Sequence, residues 1–201
     1  MKKSCLLGIG LLLILGLASN PLLADVVLLS DDFDNEGPES WNYNNFQKWT
    51  VTDGSVDLLG PGGWNPFPAY GKYVDLDGST LDAGRLISKT IFALTPGIIY
   101  TLKFDLAGSQ WGDTNTVDVS LGSFSESFTL DPSAPFTTYS RNISLPFATS
   151  AQLIFDHRGG DNKGLLLDNV QLSYVPLPGA VCLLGSGLVG LLGWRAVRRK
   201  S

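Results

Sequence analysis

The segment YTLKFDLAG, residues 100–108, sets Tyr100, Leu102, Phe104 and Leu106 against Thr101, Lys103 and Asp105. A period of two puts one set of side chains on each face of an extended chain, so this segment is a strand with a single buried face. VDVSL (117–121), FSESFTL (124–130), TTYSRNISL (137–145) and AQLIFDH (151–157) repeat the pattern. FQKWTV, SVDLL, KYVDL and GRLISKTIFAL precede them, each bounded by Gly, Pro, Asn or Asp. Nowhere in this stretch do apolar residues recur at helical spacing. About ten short strands joined by turns, with nothing helical between them, predict an all-β chain folded as an antiparallel β-sandwich.

The two ends read differently. Lys2 and Lys3 precede the apolar run CLLGIGLLLILGLA and a small residue at Ala24, the pattern of a secretory signal over 1–24 cut before Asp25; an uncleaved N-terminal anchor is the alternative. At the other end Leu177 to Ala196 is long and apolar enough to span a bilayer as a helix, and Arg195, Arg198, Arg199 and Lys200 adjoin it. Basic residues stay on the cytoplasmic side, which leaves the body, 25–174, outside. Both cysteines, Cys5 and Cys182, fall in the end segments, so the body has neither a disulfide nor thiol chemistry. All 19 acidic residues fall in the body against eight of the 14 basic ones, a net charge of −11. That surface repels nucleic acid and suits divalent cations with oxygen ligands.

The closing order is specific: Val175, Pro176, Leu177 and Pro178, then the small-residue-rich LLGSGLVGLLG, then Arg195, Arg198 and Arg199. It resembles the PEP-CTERM sorting signal of Gram-negative bacteria, with Leu177 where that motif has Glu. The resemblance covers 175–201. It implies an exosortase-type processing enzyme as partner, an inner-membrane intermediate, and delivery to the cell surface or extracellular matrix. A permanently anchored periplasmic binding protein is the alternative.

Within the body, DDFDNE, WTVTDGSVDLL, GKYVDLDGS, LTPGIIYTLKFDLAG and GGDNKGLLLDNVQL follow in that order. Together they resemble galactose-binding-like jelly rolls, a fold related to carbohydrate-binding modules. The chain lacks the cysteine that plant members carry before the final strand. In LLLDNVQLSY the parity of Leu166, Val170, Leu172 and Tyr174 places Asp168 on the apolar face if the strand is regular. A lone carboxylate there costs several kcal/mol, roughly, unless it is paired or bound to metal. The resemblance implies a structural calcium site of Asp168 with Asp32 or Asp34; the alternative is that Asp168 caps turn amides. DLDGS (75–79) and GGDN (159–162) read as turns first and ligand loops second.

Trp49, Phe104, Phe128, Tyr139 and Phe155 lie in strand patterns and are assigned to the core. Trp41, Tyr43, Trp64, Phe67, Tyr70 and Trp111 lie in loops among Gly, Pro, Asn and Asp. Flat rings beside amides and carboxylates stack on sugar rings and bond their hydroxyls, so Trp41, Tyr43, Trp64, Tyr70 and Trp111 form the candidate glycan site; lids on the sandwich ends are the alternative. Catalysis has less to build on. His157 is the one histidine, at a strand end where a turn-bonded role is expected. There is no G-x-S-x-G elbow and no H-E-x-x-H pair. A glycoside hydrolase needs only two carboxylates and remains the minor alternative, with Glu36, Glu39 and Glu126 the only glutamates. The sequence therefore predicts an exported, non-catalytic protein that binds exopolysaccharide or serves the matrix structurally.

Overall fold

The computed structural model describes residues 24–176. The predicted signal helix and transmembrane helix, and Leu177, Pro178, Arg195, Arg198 and Arg199 of the sorting motif, lie outside these residues. Among the described residues no helix is long and apolar enough to cross a membrane.

Among the described residues thirteen strands form, all named ladders between them antiparallel. The first sheet contains β1 (Val26–Asp31), β3 (Asp57–Leu59), β4 (Tyr73–Asp75), β7 (Ile99–Ala107), β10 (Thr137–Ser144) and β13 (Leu166–Tyr174). Its order is β10-β7-β13-β4-β3, with β1 beside the second half of β13. The second runs β2 (Trp49–Thr52), β5 (Arg85–Ser88), β12 (Leu153–Arg158), β8 (Asn115–Leu121), β9 (Phe124–Leu130). β6 (Phe92–Leu94) and β11 (Thr149–Ala151) make a separate two-stranded pair. The predicted all-β sandwich is therefore observed, with GRLISKTIFAL broken into β5 and β6. At the break the Ser88 hydroxyl donates to the Thr90 carbonyl (2.9 Å) and accepts the Leu153 amide (2.9 Å).

One face of each sheet fills the core. Phe104 of β7 meets Phe155 of β12 edge to face at 5.3 Å, and Trp49 meets Phe155 at 5.9 Å. Trp49 is fully buried, and its indole N–H donates to Asp31 Oδ2 (2.7 Å), which satisfies the one polar atom a buried tryptophan carries. The outer face of the five-stranded sheet is polar, with Arg158 on Asp118 and Arg85 on Asp156. The outer face of the six-stranded sheet is mixed. Leu59, Tyr73, Ala107 and Leu166 form a small second core there, covered by Trp64, Phe67 and Phe136.

β13 is not regular. Its register against β7 slips between Asp168 and Gln171, and Asn169 has φ 51°, the left-handed region that asparagine tolerates better than most residues. One extra residue flips the parity. Leu167, Val170 and Leu172 face the main core, whereas Leu166 joins the second core outside the sheet. Asp168 pairs with Asp105, so it lies on the outer face, not among the inward residues where unbroken alternation puts it.

Candidate functional site

The six-stranded sheet carries two adjoining features on its outer face. β7 and β13 run from opposite ends, so Ala107 and Leu166 mark one pole and Ile99 and Tyr174 the other.

At the Ala107 pole the loop 60–72, the turn after β7 and the residues before β10 bring their aromatics together. Trp64 and Trp111 lie 5.0 Å apart, Tyr70 stacks on Phe136 at 4.4 Å, and Phe67 packs on Phe136 at 4.9 Å. Tyr73 beneath them donates its hydroxyl to Asn65 Oδ1 (2.7 Å), which holds the loop to the sheet; burial pushes its pKa up to about 12. Trp41 and Trp64 line a cleft of about 430 Å³ with Glu39, Ser40, Leu58, Leu59 and the glycines of GPGG. Trp41 is 58% exposed and Trp111 54%, so both present open ring faces. Glu39 reaches the Gly62 amide (3.3 Å) and is the one charged residue lining the cleft.

Trp41, Trp64, Tyr70 and Trp111 therefore fall at one pole. Tyr43 does not join them. It is buried in the main core, edge-on to Phe46 at 4.7 Å, with its hydroxyl accepting the Gly37 amide (3.0 Å) and donating to the Asn45 carbonyl (3.3 Å). The turn at Asn42 (φ 53°), pinned by Asp57 on the Asn42 amide (2.6 Å), directs it inward. Phe136 carries no sequence signal beyond a loop position beside Pro135.

Farther along the same face Asp168 pairs across the ladder with Asp105 and feels the charges of Asp34 and Asp32. Asn169 ties two of them: its amide donates to Asp168 Oδ1 (2.7 Å) and its Nδ2 to Asp105 Oδ2 (2.9 Å) and Asp168 Oδ2 (3.2 Å). The Thr138 hydroxyl holds Asp105 Oδ1 (2.5 Å). Asp168 is 1% exposed, and burial, then Asp105, Asp34 and Asp32, push its pKa up to about 8. Asp34 accepts the Lys72 amide (2.7 Å), and Asp32 the Asp34 amide (3.3 Å). Among the described residues no three His, Cys, Asp or Glu groups converge closely enough to hold a metal ion. The predicted set of Asp32, Asp34 and Asp168 is thus within electrostatic reach of one another, each opposing the charge of Asp168, and does not form a closed cage. Asp32 and Asp105 also line, with Asp31, Lys103, Thr138, Asn169 and Gln171, a polar groove of about 330 Å³.

The remaining titratable groups serve the loops. Asp77 Oδ2 accepts the Gly160 (2.8 Å) and Asp161 (3.3 Å) amides, and Asp57 binds Ser79, so DLDGS and GGDN are interlocked turns. Asp75 is held well above the usual carboxylate range by burial and by Asp57 and Asp77. His157 Nε2 accepts the Leu165 amide (3.2 Å), the turn-bonded role expected of it. Burial pushes its pKa down to about 4, against the pull of Asp77 and Asp161. The unfolded imidazole takes its proton near pH 6.5, so between pH 6.5 and 4 the unfolded chain binds one proton more. This group's contribution is full above pH 6.5 and is lost as pH falls through 4, to a total of about 3 kcal/mol. In urea titrations the stability of His157→Gln relative to the parent is therefore expected to rise as pH drops from 7 to 4, and a constant difference would contradict this reading.

Of the glutamates, Glu36 accepts the Gln47 amide (3.0 and 3.1 Å) and Glu126 pairs with Arg141 (2.6 and 2.7 Å), leaving Glu39 alone in the cleft.

No family model matches the chain, and no curated protein matches it. Solved structures do. The K3 cleaved adhesin domain of Lys-gingipain from Porphyromonas gingivalis W83 superposes with a TM-score of 0.50 at 18% identity, over 73% of this chain and 99% of that one. The Clostridium thermocellum xylanase 10B fragment of CBM22-1 and GH10 modules, complexed with xylohexaose, gives 0.49 at 17%, over 76% and 29%. The CBM22-1 xylan-binding domain of Paenibacillus barcinonensis Xyn10C gives 0.47 at 12%, over 77% and 98%. The chain spans under a third of the xylanase fragment's length. At these identities the likeness to the adhesin domain establishes the shared β-sandwich fold, and the ligand has to be argued from the chain's own residues.

Proposed function

We propose that this chain is an exported, non-catalytic β-sandwich that binds exopolysaccharide through the aromatic pole. One observation carries the reading: Trp41 and Trp64 line one cleft, Trp111 packs on Trp64, and Tyr70 stacks on Phe136 over the same second core, with two of the indoles more than half exposed. Leaving the Trp41 and Trp111 rings in water contributes nothing to folding, whereas a sugar's apolar C–H face covers them favourably. Glu39 and the backbone of the Gly-rich loop supply the hydrogen-bonding groups that orient hydroxyls. With a carboxylate and no cation lining the cleft, a neutral glycan is favoured over a uronate or sulfated one.

Hydrolysis takes two carboxylates flanking one bond, and the cleft offers only Glu39. The sorting motif, Val175 to Pro178 with Arg195, Arg198 and Arg199, directs the protein through the inner membrane to an exosortase-type enzyme and then to the cell surface or matrix of a Gram-negative bacterium. Structural calcium at Asp168, with Asp32 and Asp34, is part of the proposal. It is supported by the crowding of three carboxylates, Asp105, Asp34 and Asp32, around a buried one that no Lys or Arg side chain among the described residues pairs, and it requires these side chains to close in from their metal-free positions.

The test is sedimentation of the protein with insoluble matrix polysaccharides and affinity electrophoresis in soluble ones. Retention by a neutral glycan is expected. Failure to bind any, with unchanged biofilm on deletion, would overturn the binding role. Native protein found at full length in the inner membrane would replace sorting by a permanent anchor.

A further inference from the structure

The pole opposite the aromatics has an unusual surface. Phe147, just past the end of β10, is 79% exposed, and Ile99, at the start of β7, is 59% exposed. Ser144 pairs with Ile99 and Tyr100 with Tyr174, so Phe147, Ile99, Val175 and the exposed Val26 and Val27 of β1 gather where the chain enters and leaves the sandwich. None of the 19 acidic residues falls in 89–99, 121–125, 144–152 or 172–176, the segments that build this pole, and Lys89 is their one charge. Asp25, just before β1, lies at this pole beside Val26, which pairs with Tyr174, and Lys48, whose carbonyl accepts the Lys89 amide, borders it. In a body of net charge −11 such an apolar, nearly uncharged end is a separate surface.

The exit point says what covers it. β13 ends at Tyr174, and the apolar stretch 177–196 begins after only Val175 and Pro176. An extended chain covers at most about 3.6 Å per residue, so the strand end lies within roughly 10 Å of that stretch. The headgroup layer on each side of a bilayer is itself about 5–7 Å deep. With the tail across the membrane, the pole has no room to stand clear.

We infer that this pole is a lipid-contacting surface: while the tail is attached, Phe147, Ile99 and their neighbours sit in the headgroup layer of the bilayer. The acidic groups and the Trp cleft then face away, since nine-residue β7 and β13 set the two poles about 30 Å apart. The inference rests on the tail spanning the membrane, and it is independent of the identity of the glycan.

Full-length chain carrying Cys5→Ser and Cys182→Ser is placed in phosphatidylethanolamine–phosphatidylglycerol vesicles, with a nitroxide at Phe147→Cys or Ile99→Cys and, for comparison, at Gly63→Cys. Labels at 147 and 99 are expected to lose accessibility to a water-soluble nickel complex while retaining it to oxygen, whereas the label at 63 keeps its access to the nickel complex. Equal nickel accessibility at 147, 99 and 63 in vesicle-bound chain would overturn the inference and leave the tail as a free-standing tether. Loss of access to both reagents that grows with protein-to-lipid ratio would assign the pole to a second copy instead. Chain that does not float with vesicles would remove both the span and the inference.

Discussion

Trp111→Ala is expected to weaken binding to a neutral polysaccharide by about tenfold, because an exposed ring that extends the cleft beside Trp64 contributes on the order of 1.4 kcal/mol when a sugar stacks on it. The ring is more than half exposed, so its loss removes little packing beyond its contact with Trp64 at 5.0 Å. The melting temperature should stay close to that of the parent, as for exposed substitutions generally. Trp64→Ala should lose as much affinity and also some stability, since Trp64 covers Leu59, Ala107 and Leu166. Isothermal titration with the retained glycan, alongside thermal melts, separates the two effects. Unchanged affinity in both variants would mean that the aromatics are a lid, and the matrix role a structural one.

Asp168→Asn is expected to act in opposite directions with and without calcium. Without metal, a buried carboxylate crowded by Asp105, Asp34 and Asp32 opposes folding once ionised. Its folded pKa lies near 8 and its unfolded value near 3.8, so the folded state binds the extra proton and the group's contribution is lost as pH rises through 8. At pH 8 the amide should therefore stabilise the metal-free protein, on the order of 2–4 kcal/mol, with little gain at pH 4. With millimolar calcium the parent should gain stability and the variant should not, because the ligand has lost its charge. Chemical denaturation at both pH values, with calcium or with chelator, reads all four states. A parent indifferent to calcium would remove the metal from the account and leave Asp168 as the partner of Asn169.

The sandwich was legible because alternation survives in almost every strand: Tyr100 to Leu106 and Val117 to Leu121 face the core as their parity requires. The core aromatics followed from the same pattern, with Trp49, Phe104 and Phe155 fully buried. Alternation misleads where the backbone inserts a residue. At Asn169 the bulge moves Asp168 to the outer face, and Asp105, its partner, drew no notice because an acidic residue on a solvent-side parity looks ordinary. The Asp-Asn pair was the available signal, since asparagine is among the few residues that accept positive φ. Loop aromatics are harder still. Composition treats Tyr43 and Trp41 alike, yet a turn at Asn42 sends one ring into the core and leaves the other in water. Which loops share a pole depends on strand direction and register, and no local pattern carries that.

The central claim is that the aromatic pole takes the glycan, and hydrogen–deuterium exchange of the full chain with and without the retained polysaccharide tests it most directly. Protection is predicted in 39–41, 60–71, 109–113 and 134–136, with the polar groove and the opposite pole unchanged. Protection confined to the groove at Lys103, Thr138 and Gln171, with the tryptophan loops unaffected, would contradict the account and move the site to the middle of the sheet.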